Sequence, residues 1–252
     1  MTEAVAQAVA DKILGAYVTR TPVPPVREVL PAGAIDQAYA AQEFNTERWL
    51  EEGRKLVGRK IGLTSLAVQR QLGVSQPDYG MLFSDMAVLD GWDVAADQLI
   101  QPKVEAEIAF VIGRDLDDEH LTIADILRAV EFALPAIEIV DSRIAEWKIG
   151  ILDTIADNAS SGLYVLGASP KKLDGLELRL CGMVMEEGGD EVSVGAGAAC
   201  LGDPLSATLW LAKTMARVGA RRLSSRRAIS QPLAKPTSAI AMMERTMAGG
   251  PD

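Results

Sequence analysis

Glu105 and Glu107 stand two residues apart in "PKVEAEIAF", Pro102 to Phe110, and Glu138 has an isoleucine on each side in "PAIEIVDSR". Side chains alternate along a strand, so Glu105 and Glu107 share a face with Ala109 and Val111, while Val104, Ala106, Ile108 and Phe110 share the other. The glutamate face therefore runs on into apolar residues and is not a plain solvent face. Glu138 shares its face with Ala136 and Val140, so both faces of its strand read as covered. An isolated buried carboxylate takes up a proton or is matched by a cation. Three such glutamates with few basic neighbours point to a metal ion. Oxygen ligands without His or Cys suit a hard divalent ion, Mg²⁺ or Mn²⁺, and three carboxylates leave positions for water or substrate. That arrangement is catalytic rather than structural. The competing acidic run "GRDLDDEHLTI" lacks the glycine and terminal glutamate of an EF-hand loop and reads as solvated.

A second polar cluster spans residues 58–80, "GRKIGLTSLAVQRQLGVSQPDYG". Lys60 lies in a short strand-like run, and Gly62-Leu63-Thr64-Ser65 follows as a segment whose backbone N–H groups are placed to open a helix and cradle an anion. "QPDYG" reads as a turn carrying Asp78 and Tyr79. "DNASSG", residues 157–162, reads as a polar loop. Taken singly these are weak signals, since a lone lysine or serine is most often a surface residue.

The elements that must position these groups follow from periodicity. Residues 1–20 and 35–53 carry apolar residues at helical spacing, separated by the Pro-rich "TRTPVPPVREVLPAG". From residue 56 the chain alternates short apolar runs with Gly, Pro and Asp turns, and "AVLDGWDV", "VEAEIAFVIG", "PAIEIVDSR", "SSGLYVLG" and "LELRLCGMVMEEGGDEVSVGAG" read as strands. Two helices interrupt them, one with Thr122 as N-cap and Asp125 three residues on, running to about Phe132, and one from Asp203 to a stop at Gly219. The organisation expected is a helical part (1–55), a β-rich catalytic part (56–220) and a C-terminal tail (221–252).

With 48% hydrophobic and 24% charged residues, the 252-residue chain has the composition of a folded globular protein. A net charge of -10 opposes polyanions, which argues against nucleic acid or an anionic membrane as partner. No apolar run approaches the roughly 20 residues of a membrane span, and the N-terminus lacks a signal-peptide pattern, so the cytoplasm is the expected location. Cys181 and Cys200 read as reduced core residues. The single histidine, His120, excludes sites that need several imidazoles. No GxGxxG or P-loop spacing is present, so no nucleotide cofactor is expected.

Taken in order, "GRKIGLTSLAVQRQLGVSQPDYGMLFSDM", "QPKVEAEIAFVIGRDL", "PAIEIVDSRI", Trp147 with "DTIADNASSGLYVLG", and "VSVGAGAACLGDPLSATLWLAKT" closely resemble the 2-hydroxypenta-2,4-dienoate hydratases of aromatic meta-cleavage pathways. These belong to the fumarylacetoacetate-hydrolase-like superfamily. The resemblance, which covers residues 1–220, implies an α+β fold, a mixed β-sheet roll with a smaller helical N-terminal part. It implies Mg²⁺ or Mn²⁺ held by Glu105, Glu107 and Glu138, with Lys60 and Asp78 as catalytic groups facing the metal-bound substrate. It implies Ser160 as a contact to the substrate carboxylate, with Leu63 and Thr64 as further substrate-binding residues. The reaction implied is hydration of the dienol to 4-hydroxy-2-oxopentanoate. A homo-oligomer is expected, and a complex with the related decarboxylase is a further partner. The alternatives are 2-oxo-3-hexenedioate (4-oxalocrotonate) decarboxylase, an acylpyruvate-type C–C hydrolase and a non-catalytic partner subunit. After Ala220 the resemblance fails, and "RRLSSRRAISQPLAKPTSAIAMMERTMAGGPD" shows little strand alternation.

Overall fold

The computed structural model describes residues 2–225 and 239–243. Two helices lead, α1 (Thr2–Thr19) and α2 (Ile35–Glu51). Proline has a fixed φ and no N–H, so the Pro-rich link between them stays out of regular helix and makes one short 3₁₀ turn at Val26–Glu28. Small residues, Ala6, Ala10, Ala38 and Ala41, let the helices pack closely around Val9 and Ile13. The buried Asn45 amide donates to Ala10 O at 2.9 Å, and Arg48 pairs with Asp11 at 2.5 Å.

The β-rich part begins with β1 (Leu56–Gly62), followed by α3 (Leu66–Leu72), β2 (Asp78–Phe83) and the two-residue β3 (Ala87–Val88). Next come β4 (Pro102–Ile112), α4 (Ile123–Ala129), β5 (Val130–Asp141), α5 (Ile151–Ala156) and β6 (Ser161–Leu166). The hairpin β7 (Gly182–Glu187) and β8 (Asp190–Ala196), α6 (Pro204–Ser225) and β9 (Ala239–Met243) complete the order. Seven strands form one mixed sheet in the order β2-β1-β9-β4-β5-β6-β3, and β7-β8 stands apart. The main core gathers Trp49, Ile61, Phe83, Phe110, Ile126 and Leu211. Gln42 of α2 donates from Nε2 to Tyr79 O at 2.9 Å and to Ile155 O at 3.0 Å, tying the helical part to β2 and α5.

Several local expectations are corrected. The helix from Thr122 keeps its cap, with Thr122 N donating to Asp125 Oδ2 at 2.7 Å, but ends at Ala129 rather than near Phe132. Val130 opposite Ile112 opens the β4–β5 ladder, whose cross-strand hydrogen bonds override the helical pattern. "QPDYG" is not a turn throughout, because Asp78 and Tyr79 open the fully buried β2. "AVLDGWDV" is a strand only over Ala87–Val88, after which Gly91 at φ 79° turns the chain. Glu138 lies on a covered face, but the opposite face of β5 is not covered: Ile137 is 40% exposed. The helix expected to stop at Gly219 runs to Ser225. A mid-helix glycine costs about 1 kcal/mol, a penalty that Ala220, Arg221, Arg222 and Leu223, good helix formers, can outweigh. In the tail, Ala239–Met243 is a strand between β1 and β4, parallel to the first and antiparallel to the second. The rest of the tail, 226–238 and 244–252, lies outside the described residues.

Candidate active site

β4 and β5 form a long antiparallel ladder in which Glu105 lies directly opposite Glu138 and Glu107 opposite Ala136. Two glutamates one pleat apart on one strand and a third across from the first bring their carboxylates to one point on one face. One oxygen from each lies within 4.8 Å of the other two, a span that two metal–oxygen bonds of roughly 2.1–2.5 Å bridge. Glu107 and Glu138 are each 1% exposed. Like charges opposite one another destabilise a ladder, and one ammonium matches at most one of three carboxylates. The donor set fits a hard divalent cation, being all carboxylate oxygen and convergent, with Glu107 and Glu138 buried and Glu105 half-buried.

That ammonium is Lys60, 3% exposed, with Nζ 3.2 Å from Glu138 Oε2 and donating to Ala159 O at 2.9 Å. β1 lies three strands from β5 in the sheet order, about 14 Å across a flat sheet at about 4.8 Å per strand. Side chains standing off a flat sheet would not meet over that distance, so the contact requires the sheet to curl around the site.

Asp78 enters through the β1–β2 register, which pairs Gly62 with Asp78 and Lys60 with Gly80 and so puts Lys60 and Asp78 on one face. A Cβ on Gly62 would overlap Asp78 Oδ1 and come within 3.5 Å of Lys60 Nζ. The missing side chain is the space in which these two groups sit. Burial pushes the Asp78 carboxyl above the usual carboxylate range, while the Lys60 charge and the Thr154 hydroxyl pull it back.

Ser160 closes a short 3₁₀ turn, Asn158–Ser160. All three of its residues have positive φ, at 54°, 52° and 52°. Outside glycine the left-handed conformation costs roughly 1–2 kcal/mol per residue, and such strain clusters at functional sites. Ser160 Oγ donates to Asp157 Oδ2 at a long 3.4 Å. Asp157 in turn accepts from Arg143 Nε at 2.5 Å, and the Arg143 guanidinium stacks 4.2 Å from the Tyr17 ring centroid. Burial pushes the Asp157 carboxyl up to about 6 despite the adjacent Arg143 charge.

Leu63 and Thr64 follow β1 directly and are buried, Leu63 with φ 59°. Their carbonyls are occupied, Leu63 O by Gln69 Nε2 at 2.7 Å and Thr64 O by Leu201 N at 3.0 Å. The fold thus brings Glu105, Glu107, Glu138 and Lys60 together, with Asp78 beside Lys60 and Ser160 next to the carbonyl that Lys60 contacts. His120 is exposed, Cys200 is buried and Cys181 half-buried. Sequence reasoning passed over Thr154, Arg143 and Asn158. For Asn158 the available signal was a polar "DNASSG" run, which carries no sign of its left-handed backbone.

No family model matches the chain. The chain is 62% identical over 210 residues to the TodF product hydratase of Pseudomonas putida strain F1, covering 83% of this chain and 78% of that one. It is 58% identical over 213 residues to 2-keto-4-pentenoate hydratase 2 of Dechloromonas aromatica, covering 84% and 81%. Among solved structures, 4-oxalocrotonate decarboxylase from Pseudomonas putida G7, complexed with magnesium and adipate, superposes with a TM-score of 0.83 at 34% identity over 97% of this chain and 88% of that one. Fumarylpyruvate hydrolase from Pseudomonas aeruginosa, with Mn²⁺ and pyruvate, shares the fold at TM-score 0.53 and 10% identity, over 75% and 78%.

Proposed function

This chain belongs to the 2-keto-4-pentenoate hydratase family, and we propose that it adds water to 2-hydroxypenta-2,4-dienoate to give 4-hydroxy-2-oxopentanoate in aromatic meta-cleavage catabolism. Its fold is the fumarylacetoacetate-hydrolase-like α+β roll. The observation that carries the reading is the convergence of Glu105, Glu107 and Glu138 with Lys60 and Asp78 beside them.

Glu105, Glu107 and Glu138 would hold Mg²⁺ or Mn²⁺, which when bound supplies Lewis-acid stabilisation of negative charge on a substrate oxygen. The chain's own groups account for the proton traffic. The dienol loses its O2 proton and gains one at C5, giving an α,β-unsaturated 2-oxo acid; water then adds its oxygen at C4 and a proton at C3. Asp78, with a carboxyl biased toward holding a proton, is suited to deliver and recover protons in these steps. Lys60, fixed between Glu138 and Ala159 O, supplies positive charge beside the oxygen on which charge develops. Ser160, whose hydroxyl makes a long bond to Asp157, would turn to the substrate carboxylate, and Leu63 and Thr64 would line the same pocket.

The proposal extends to a cytoplasmic homo-oligomer and to a complex with a related decarboxylase. The outer face of β4–β5 supports an assembled state, since Val104 and Ile137 are each 40% exposed there. Among the described residues no helix is long and apolar enough to cross a membrane. One observation favours a second reading, the 34% identity to the decarboxylase. The test offers metal-stripped protein the dienol and 2-oxo-3-hexenedioate, with and without Mg²⁺ or Mn²⁺. Metal-dependent loss of dienol absorbance with 4-hydroxy-2-oxopentanoate as product is expected. CO₂ release without dienol hydration would replace the reading with the decarboxylase, and no turnover of either would leave a binding subunit.

A further inference from the structure

We propose that Asn158 is a positioning residue for Lys60, acting through the left-handed segment Asn158–Ser160; the inference rests on the role given to Lys60 above. β2 stands at one end of the sheet order, with β1 as its strand neighbour. On β2 the Asn158 carboxamide behaves as a peptide unit of a further strand: Oδ1 accepts from Met81 N at 2.6 Å, and Nδ2 donates to Met81 O at 2.9 Å. This two-point clamp fixes both translation and rotation of the segment against β2.

Gly80, next to Met81, makes the close approach possible. A side chain there would overlap Asn158 O and come within 2.8 Å of Ser161 Oγ. Gly80 is also the register partner of Lys60 on β1. The segment therefore crosses β2 opposite Lys60, and its middle carbonyl, Ala159 O, receives Lys60 Nζ at 2.9 Å. Asp157, Arg143 and Ser161 hold the flanks: Ser160 N donates to Asp157 O at 2.9 Å, Arg143 Nη2 to Asp157 O at 2.9 Å, and Arg143 Nη1 to Ser161 O at 3.1 Å. Those bonds anchor the segment to the end of β5, whereas the Asn158 carboxamide ties it to the β1–β2 hairpin from which Lys60 projects. An ammonium facing Glu138 alone would be free to swing about that carboxylate. The neutral carbonyl gives it a second fixed acceptor and so a single direction.

The test is Asn158→Ala in the full chain, assayed with saturating Mg²⁺. Loss of the clamp lets Ala159 O shift, and a misplacement of about 1 Å costs on the order of 10²-fold in kcat. The affinity for Mg²⁺ is expected to stay within about threefold, because β4 and β5 are untouched, whereas KM is expected to rise with any shift of Ser160 on the same segment. In a Lys60→Met background the same change is expected to cost less than about twofold further, since groups acting as one unit are not additive. Asn158→Asp keeps the shape and the acceptor but loses the donor to Met81 O; it supplies the same readings if the alanine variant does not fold. If Lys60→Met falls below detection, a crystal structure of the Asn158 variant decides, with Lys60 Nζ expected to leave Ala159 O.

Wild-type kcat in a folded Asn158 variant, an undiminished loss in the Lys60→Met background, or an unmoved Lys60 overturns the role of Asn158 alone. Wild-type turnover in Lys60→Met itself overturns the role of Lys60, and that of Asn158 with it.

Discussion

A buried carboxylate within 4.8 Å of two others cannot keep its charge without a cation close by, and this fixes what a neutral replacement should do at Glu107. Glu107→Gln preserves shape and volume but removes one of three converging charges. Metal affinity, followed by calorimetric titration with Mg²⁺ and Mn²⁺, is expected to fall by more than about 100-fold, since even partners behind a ligand are worth 10–100-fold. Hydratase activity should vanish with it. In the presence of chelator the variant should melt no lower than the parent, because repulsion between carboxylates has been relieved. An unchanged metal affinity would rule out the triad as the ion's site. The three glutamates were legible because each broke an apolar strand pattern. Lys60, Asp78 and Ser160 were not legible that way, since a lysine, a turn-like aspartate and a loop serine are ordinary surface residues, and only the resemblance singled them out. Asn158 was beyond both, because its position depends on a left-handed backbone and on a cross-strand glycine far away in sequence.

Among the elements, the β1–β2 hairpin is where two glycines do different jobs. Gly80→Ala would drive a methyl group into the backbone carbonyl of Asn158, which is not free to rotate away. A stability loss of roughly 1–3 kcal/mol is expected from this overpacking, read as a lower urea midpoint with unchanged m-value. Gly62→Ala meets the Asp78 carboxylate, a side chain that can move. Its main effect should therefore fall on kcat, with a smaller shift in midpoint; a variant with full activity would show that the Asp78 position is unimportant. Element types were legible where periodicity was long, as in α1, α2 and β4. Boundaries failed where pairing outweighed local preference. Residues Val130–Phe132 carry a helical pattern forward from α4, yet they are held by the ladder to β4. Asp78 and Tyr79, in a Pro-Asp-Tyr-Gly run that looks like a turn, are held extended by Gly62 and Ile61.

For the molecule as a whole, pH and the closing strand are the informative variables. Asp157, buried with Arg143, Asp141 and Tyr17 around it, has its carboxyl raised from 3.8 to about 6. As pH falls from about 7 toward 4 the folded state takes up this proton before the unfolded state does, so the group's contribution to stability rises on acidification. Asp11 and Asp125, lowered by Arg48 and Thr122, act oppositely, their contribution being lost only as pH falls below the ordinary carboxylate range. Urea midpoints should hold or rise from pH 7 to 5 and fall below about 4; Asp157→Asn, less stable at every pH, should lose its own part of the rise and keep the part from Asp78, whose carboxyl burial also raises. The strand β9 was illegible for a different reason. An unbroken "AIAMM" run does not alternate, as a two-faced central strand need not, and its partners Gly58–Ile61 and Ile108–Ile112 are more than a hundred residues away. Yet β9 is the element that joins the strand bearing Lys60 to the strand bearing Glu105 and Glu107. Ending the chain after Ser225 would expose two neighbouring strand edges and uncouple Lys60 from Glu105 and Glu107. Such a truncation is expected to lose hydratase activity and to associate or precipitate through the open edges, measured by turnover and by light scattering. A truncated chain that stayed monodisperse and hydrated the dienol at the parental rate would show that β1 and β4 can be held in place without the strand between them.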